Sequence, residues 1–182
     1  LKDIFIWDLK LSQLGAQIIK NRLEIVEKIS NELTVTYQKI AKTNKDLKIN
    51  YVSGTSLENY GSNLLSQLEK NIEKDARMGH TGFGPHRDDV EFLIDGKQVM
   101  LSASRGEMRT ILLSIKSIEL GIIEKARKIK PILLLDDVFS ELDGARRKAL
   151  TDLVKNHQTI ITTTDADIIS KNFSQNCQII PL

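Results

Sequence analysis

Residues 131–137 read PILLLDD: a proline, four large apolar side chains and two adjacent carboxylates. No other stretch of the chain leaves fewer folds open. An apolar run this short, introduced by Pro131, predicts a strand buried on both faces, and such strands belong to parallel sheets covered by helices. Ionised carboxylates at the end of a buried strand are costly unless something positive meets them. Magnesium carried by a nucleotide is one good partner for Asp136 and Asp137. A magnesium-nucleotide site also needs a loop that holds phosphates, so the rest of the chain has to be searched for one.

The flanking sequence supports a parallel sheet. SASRGEMR opens a largely apolar helix through about Arg127, and the strand PILLLDD follows. A helix capped by Asp143 then runs to about Asn156, before a second strand in QTIITTTD and a closing apolar segment, CQIIPL. Strand, helix, strand with short connections predicts a parallel crossover unit, and so an α/β lobe in the second half.

The first half reads differently. After the short apolar opening IFIW, residues from about Asp8 to Thr43 contain no proline. Ala16, Ile19, Leu23, Val26, Ser30, Leu33, Tyr37 and Ile40 recur at alternating spacings of three and four, a heptad-like seam widened by Leu11, Ile18, Ile25 and Ile29. DLKINYVSG alternates as a short strand, and a second helix is expected from about Ser56 to Arg77, packed antiparallel on the first. VEFLIDGKQVML predicts a hairpin turning at Asp95-Gly96. This half reads as a helical insertion beside the lobe, or as no more than an arm or bundle.

Composition excludes several function classes. The chain has 182 residues, 26 Lys and Arg against 24 Asp and Glu, and a formal charge of +2, so net charge alone does not imply nucleic-acid binding. Aromatics at 5% are too sparse for a base-stacking platform. The single Cys177 excludes an internal disulfide framework and suits a reducing cytoplasm. No apolar run approaches the ~20 residues of a membrane span. The chain opens on Leu1 rather than Met and so looks cut from something longer.

Several motifs compete for the phosphate loop. In GHTGFGPH, Gly79 and Gly84 have the spacing of a P-loop, but Pro85 and His86 stand where lysine and a hydroxyl are required. HRDD at 86–89 fails as a kinase catalytic loop, because Leu93 stands where asparagine should be. His86 and Arg87 serve either a phosphate or partner, or a loop held by Arg–Asp pairs. Ser104 and Glu107 form a capping box, which explains both as helix-start chemistry. The same geometry suits an anion: free N–H groups, a positive dipole end, Gly106 allowing close approach, and Arg105 or Arg109 supplying charge. Asp136 would hold Mg²⁺ through water and Asp137 would orient an attacking water, unless Asp137 merely caps the next turn. The histidines and Cys177 lack metal-ligand spacing, and Asp165 and Asp167 suit helix-start capping. The clusters KARKIK (125–130) and RRK (146–148) either meet DNA phosphates or are solvated faces.

The order of these motifs is more informative than any one of them. An S-x-G-E helix start precedes, by one helix, an apolar strand ending in two acids, and SELD follows at once. This resembles the C-terminal half of an ABC/SMC-type ATPase head, with signature motif, Walker B, D-loop and switch strand. GPHRDD, SRGEMRT, PILLLDDVFSELD and ITTTD, with WDLKLSQLGAQIIKNR and YVSG, together resemble the RecF family of bacterial recombinational-repair ATPases.

The resemblance implies a helical arm domain over residues 1–77 and the C-terminal part of a head lobe over 78–182. It implies that Walker A lies upstream of the helical domain, outside this chain, and that ATP is shared between two facing heads. Carried over, the stretch Ser104, Arg105, Gly106, Glu107 with Arg109 would contact nucleotide bound by a partner copy. Asp136 would serve Mg²⁺, Asp137 would stand where ABC proteins usually carry glutamate, and Ser140 and Asp143 would lie in the D-loop. The switch strand ends in Thr162, Thr163 and Thr164 with no histidine. The shorter Asp137 fits a slow ATPase used as a clamp, with no hydrolysis by this chain alone. By the same resemblance the partners are duplex DNA near single-strand gaps, RecR and RecO, and a second copy assembled by ATP. The setting is gap repair, RecA loading and the SOS response in the cytoplasm, with no membrane role. Other readings are a different short-armed SMC-like head and a non-catalytic helical interaction module.

Overall fold

The computed structural model describes residues 2–136, 144–163, 178 and 180. Its elements group into two compact units, Leu1–Glu32 with Asp46–Ser102, and Leu33–Lys45 with Ala103–Leu182.

In the first unit, helix α1 (Lys2–Ala41) takes in the IFIW stretch as well as the predicted helix. Nothing there breaks a helix, and Ile4, Phe5, Ile6 and Trp7 are all exposed. Of the predicted seam, Ile19, Leu33, Tyr37 and Ile40 are buried, whereas Leu11, Ile18 and Ile25 are exposed rather than part of a wider core face. Helix α2 (Tyr60–Met78) packs on α1 through small residues. A Cβ added at Gly61 would lie 3.5 Å from both Ala16 Cβ and Ser12 O, and one at Gly15 only 2.9 Å from Leu64 Cδ2. Asp8 feels the charges of Glu69 and Asp75, while Ser12 and Ala16 meet Gly61, so the helices run antiparallel. Their shared core is Ile19, Tyr60, Leu64 and Leu68, with Ala16, Leu23, Tyr51 and Phe83 against it.

Helix α2 starts later than Ser56 because the residues before it are tied elsewhere. Thr55 N–H donates to Ser53 Oγ, and the buried Thr55 hydroxyl donates to Gln67 Oε1 at 2.6 Å. Strands β1 (Leu47–Val52), β2 (Asp89–Ile94) and β3 (Lys97–Gln98) form an antiparallel sheet in that order. Asp95 and Gly96 take φ of 48° and 78°, the paired positive values that a two-residue hairpin of twisted strands needs. The return strand is shorter than VEFLIDGKQVML predicts, because Val99–Ser102 coils into a short helix, α3. Ser102 Oγ donates to Gln98 O at 2.7 Å, closing that turn.

The second unit contains helix α4 (Arg105–Arg127), strand β4 (Leu133–Asp136), helix α5 (Gly144–Lys155) and strand β5 (Thr159–Thr162). Strands β4 and β5 pair in parallel, from Leu133 opposite Thr159 to Asp136 opposite Thr162. This is the predicted crossover. Leu150 and Val154 of α5 pack with Leu113, Leu133, Leu135 and Ile161, so the odd-numbered strand residues face the helices. The even face differs from the expectation of two-sided burial: Leu134 is 72% and Ile160 59% exposed. Side chains alternate across a strand, and the buried cluster that α4 and α5 build gathers on the odd-numbered face. The described residues thus combine helices with an antiparallel sheet in the first unit and a parallel strand pair in the second. No helix among the described residues is long and apolar enough to cross a membrane.

Candidate functional site

The start of α4 is built from its own sequence. Ser104 sits just outside the helix with φ −67° and ψ 159°, the extended conformation of a capping residue. Its hydroxyl accepts from the Glu107 N–H at 3.2 Å, while Glu107 Oε2 accepts from the Ser104 N–H and from its hydroxyl, both at 2.9 Å. The predicted capping box is therefore complete. Lys45, far away in sequence, adds a salt bridge to Glu107 Oε1 at 2.7 Å. That ammonium first, and the two Ser104 donors next, hold the Glu107 carboxyl at about 2, well below its ordinary value. Glu107 is thus a carboxylate committed to structure.

Arg105 is exposed and Arg109 half-buried in the same turns. Arg109 lines a cleft of about 560 Å³ that Asp136 also lines, together with Leu112, Lys116, Leu134 and Leu153. Gly106 has a neighbour that sequence inspection missed. The guanidinium of Arg146 lies 3.1–3.4 Å from where a Gly106 Cβ would be, and Arg146 Nε donates to Thr110 Oγ1. Thr110 is fully buried and returns its own hydroxyl to Gly106 O at 2.9 Å. Arg146 of the RRK cluster is therefore packed and hydrogen-bonded against α4, not part of a simple solvated face.

Asp136 ends β4 at its C-terminal edge, where α/β sheets place ligands. Its carboxylate is exposed and accepts a hydrogen bond from Thr162 Oγ1, the residue paired with it across the strands. The parallel register brings them together; knowing the pairing in advance would have pointed to Thr162 rather than to a residue further along. A carboxylate and a hydroxyl are hard oxygen donors that suit Mg²⁺. Among the described residues, no group of three His, Cys, Asp or Glu gathers. Asp137, Ser140, Asp143 and Thr164 lie outside the described residues, as do Asp165, Asp167 and Cys177.

The glycine-rich loop of residues 79–88 is held within the first unit. Pro85–Arg87 forms a single 3₁₀ turn. Arg87 Nε and Nη2 both donate to Thr81 O at 3.3 Å, and His86 Nε2 lies 3.1 Å from the same carbonyl. Asp88 does not pair with an arginine of the loop; it accepts from the Tyr51 hydroxyl at 2.8 Å, and Arg22 donates to that hydroxyl at 3.1 Å. These contacts account for the loop as a structural turn.

No family model matches the chain. It is 35% identical over 172 residues to the DNA replication and repair protein RecF of Lachnoclostridium phytofermentans, covering 94% of this chain and 47% of that protein. It is 37% identical to the RecF of Ruminiclostridium cellulolyticum, over 97% of this chain and 49% of that protein. Among solved structures, the recombination mediator protein RecF with ATP, described as part of the RecFOR pathway, superposes with a TM-score of 0.78 at 35% identity. That match covers 92% of this chain and 46% of the other. The chain thus spans about half the length of the relatives it matches.

Proposed function

Over the half-length it spans the chain belongs to the RecF family, and on that premise we propose that it supplies the helix start and the acidic strand end of a composite ATP site shared between two copies of a DNA replication and repair protein. The observation that carries this reading is the α4 start: Ser104, Gly106 and two arginines cluster at a completed helix cap in the same unit as the parallel strand that ends in Asp136.

Each residue has a role there. The first turn of α4 offers backbone N–H groups and the positive end of a helix dipole to a phosphate held by a second copy. Glu107 is already neutralised by Lys45, so it opposes an incoming anion less than a solitary carboxylate would. Arg105 and Arg109 add positive charge, and Asp136 with Thr162 holds a hydrated Mg²⁺ from its own side of the interface. Asp137 orients the attacking water, and Ser140, Asp143 and Thr164 face the shared nucleotide. ATP bound between two copies stabilises only the dimer, so nucleotide state becomes association state. The closed dimer then holds duplex DNA near single-strand gaps through phosphate contacts. It acts in the cytoplasm with RecR and RecO to direct RecA loading.

The test is sedimentation of the full-length protein with and without ATP and Mg²⁺, wild type beside Ser104→Arg and Asp137→Asn. Dimerisation by ATP that Ser104→Arg abolishes and Asp137→Asn prolongs is the expected result. If Ser104→Arg dimerises normally, the α4 start is a helix cap and nothing more.

A further inference from the structure

We infer that Arg146 is a positioning residue that ties the first turn of α5 to the first turn of α4, so that both present to the second copy as one rigid face; this rests on the composite-site reading above. The guanidinium lies 3.1–3.4 Å from where a Gly106 Cβ would be, and its Nε–H donates to Thr110. Thr110 passes the constraint on, because its hydroxyl donates to the Gly106 carbonyl. Arg146 thus bears on Gly106 in two ways, directly where a Cβ would stand and indirectly through Thr110, which holds the Gly106 carbonyl.

Glycine is permitted at position 106 by the same contact. Any larger side chain there would push the guanidinium tip away. Electrostatics makes the arrangement unusual, since a cation against a helix N-terminus opposes the local dipole. Placing Arg146 there, beside Arg105 and Arg109, adds nothing to the isolated helix that the capping box does not already provide. The arrangement is useful if the turn has to hold its shape while an anion from another copy docks on it. Lysine cannot replace it, because an ammonium has neither the planar face that covers Gly106 nor the Nε–H that reaches Thr110.

The experiment compares Arg146→Lys and Arg146→Ala with wild type in the full-length protein. Three quantities are read: the dimer dissociation constant with ATP and Mg²⁺, the ATP affinity of the monomer, and hydrogen exchange in the peptide covering the first turn of α4. Both variants are expected to weaken ATP-dependent dimerisation by roughly tenfold, the scale of one charged hydrogen bond. Both should speed exchange in that turn and leave monomer ATP affinity unchanged. Full rescue by Arg146→Lys would show that charge alone matters and overturn the inference. A parallel loss of thermal stability and monomer ATP affinity would also overturn it, by making the role a general structural one. Wild type that fails to dimerise with ATP would instead refute the composite-site reading itself.

Discussion

Lys45 and Glu107 lie 62 positions apart in sequence, and their charged atoms meet at 2.7 Å. The pair fastens the turn after α1 to the capping box of α4, so the cap that orders the candidate site is anchored by a residue outside the site's own motif. Glu107 is held at about 2 against an ordinary value of 4.5. A carboxyl depressed on folding contributes stability that is fully present above 4.5 and is lost as pH falls towards 2. Lys45→Met should raise the Glu107 value back towards its ordinary range and bring acid unfolding to higher pH. Carboxyl NMR titration reads this directly, and an unmoved Glu107 titration would refute the pairing.

Ser104→Ala removes the acceptor for the Glu107 N–H and one donor to its carboxylate. A loss of about 1 kcal/mol is expected from such a cap, with most of it restored by Ser104→Thr. Urea denaturation of the three proteins side by side measures the difference. Equal midpoints for serine and alanine would mean the box contributes nothing to stability.

Two helical glycines should respond in opposite directions to alanine. At Gly15 the new methyl would lie 2.9 Å from Leu64 Cδ2 and 3.5 Å from Tyr60 Cε1, at a closely packed crossing. Overpacking of about 1–3 kcal/mol should outweigh the helix-propensity gain of about 1 kcal/mol. At Gly121 nothing lies within 4 Å of the added methyl, so Gly121→Ala should be neutral or stabilising by up to about 1 kcal/mol. Thermal melts that rank the two variants the other way round would contradict the packing described for α1 and α2.

Leu150→Ala should cost about 2–5 kcal/mol, because its side chain is buried among Leu113, Leu133, Leu135 and Ile161. Leu134→Ser, on the open face of the same two-stranded sheet, should change the stability of this chain little. If Leu134→Ser unfolds the chain instead, that face is covered in solution.

Tyr51→Phe deletes the hydroxyl that donates to Asp88 and accepts from Arg22. A cost of about 1–3 kcal/mol is expected for a hydrogen bond between a charged and a neutral group. The same hydroxyl titrates above its ordinary value, burial being the main cause. Ultraviolet titration of wild type against the variant should therefore lose a late-titrating tyrosine.

Much of the fold was legible because its determinants are local. A proline-free periodic run makes α1, Asp95-Gly96 makes the hairpin turn, and Ser104 with Glu107 three residues on makes the start of α4. Each depends on dihedral preferences and hydrogen bonds within a few residues, and those are written in the sequence itself. The strand that ends in Asp136 and its parallel partner were legible for the same reason, through a short apolar run and a crossover of the right length.

Tertiary structure alone decided the rest. Periodicity marked Leu11, Ile18 and Ile25 as apolar, but whether a face is covered depends on what packs against it, and these three are exposed. Leu133 and Leu134 are equally apolar neighbours on β4, and only the placement of α4 and α5 distinguishes them. Lys45 on Glu107, Thr162 on Asp136 and Arg146 on Gly106 are meetings of residues distant in the chain. No spacing rule encodes them, because a long side chain finds its partner through the path of the backbone in space. The sequence by itself determined the helix cap, the turn and the acidic strand end; the fold decided which distant lysine, threonine and arginine would hold them in place.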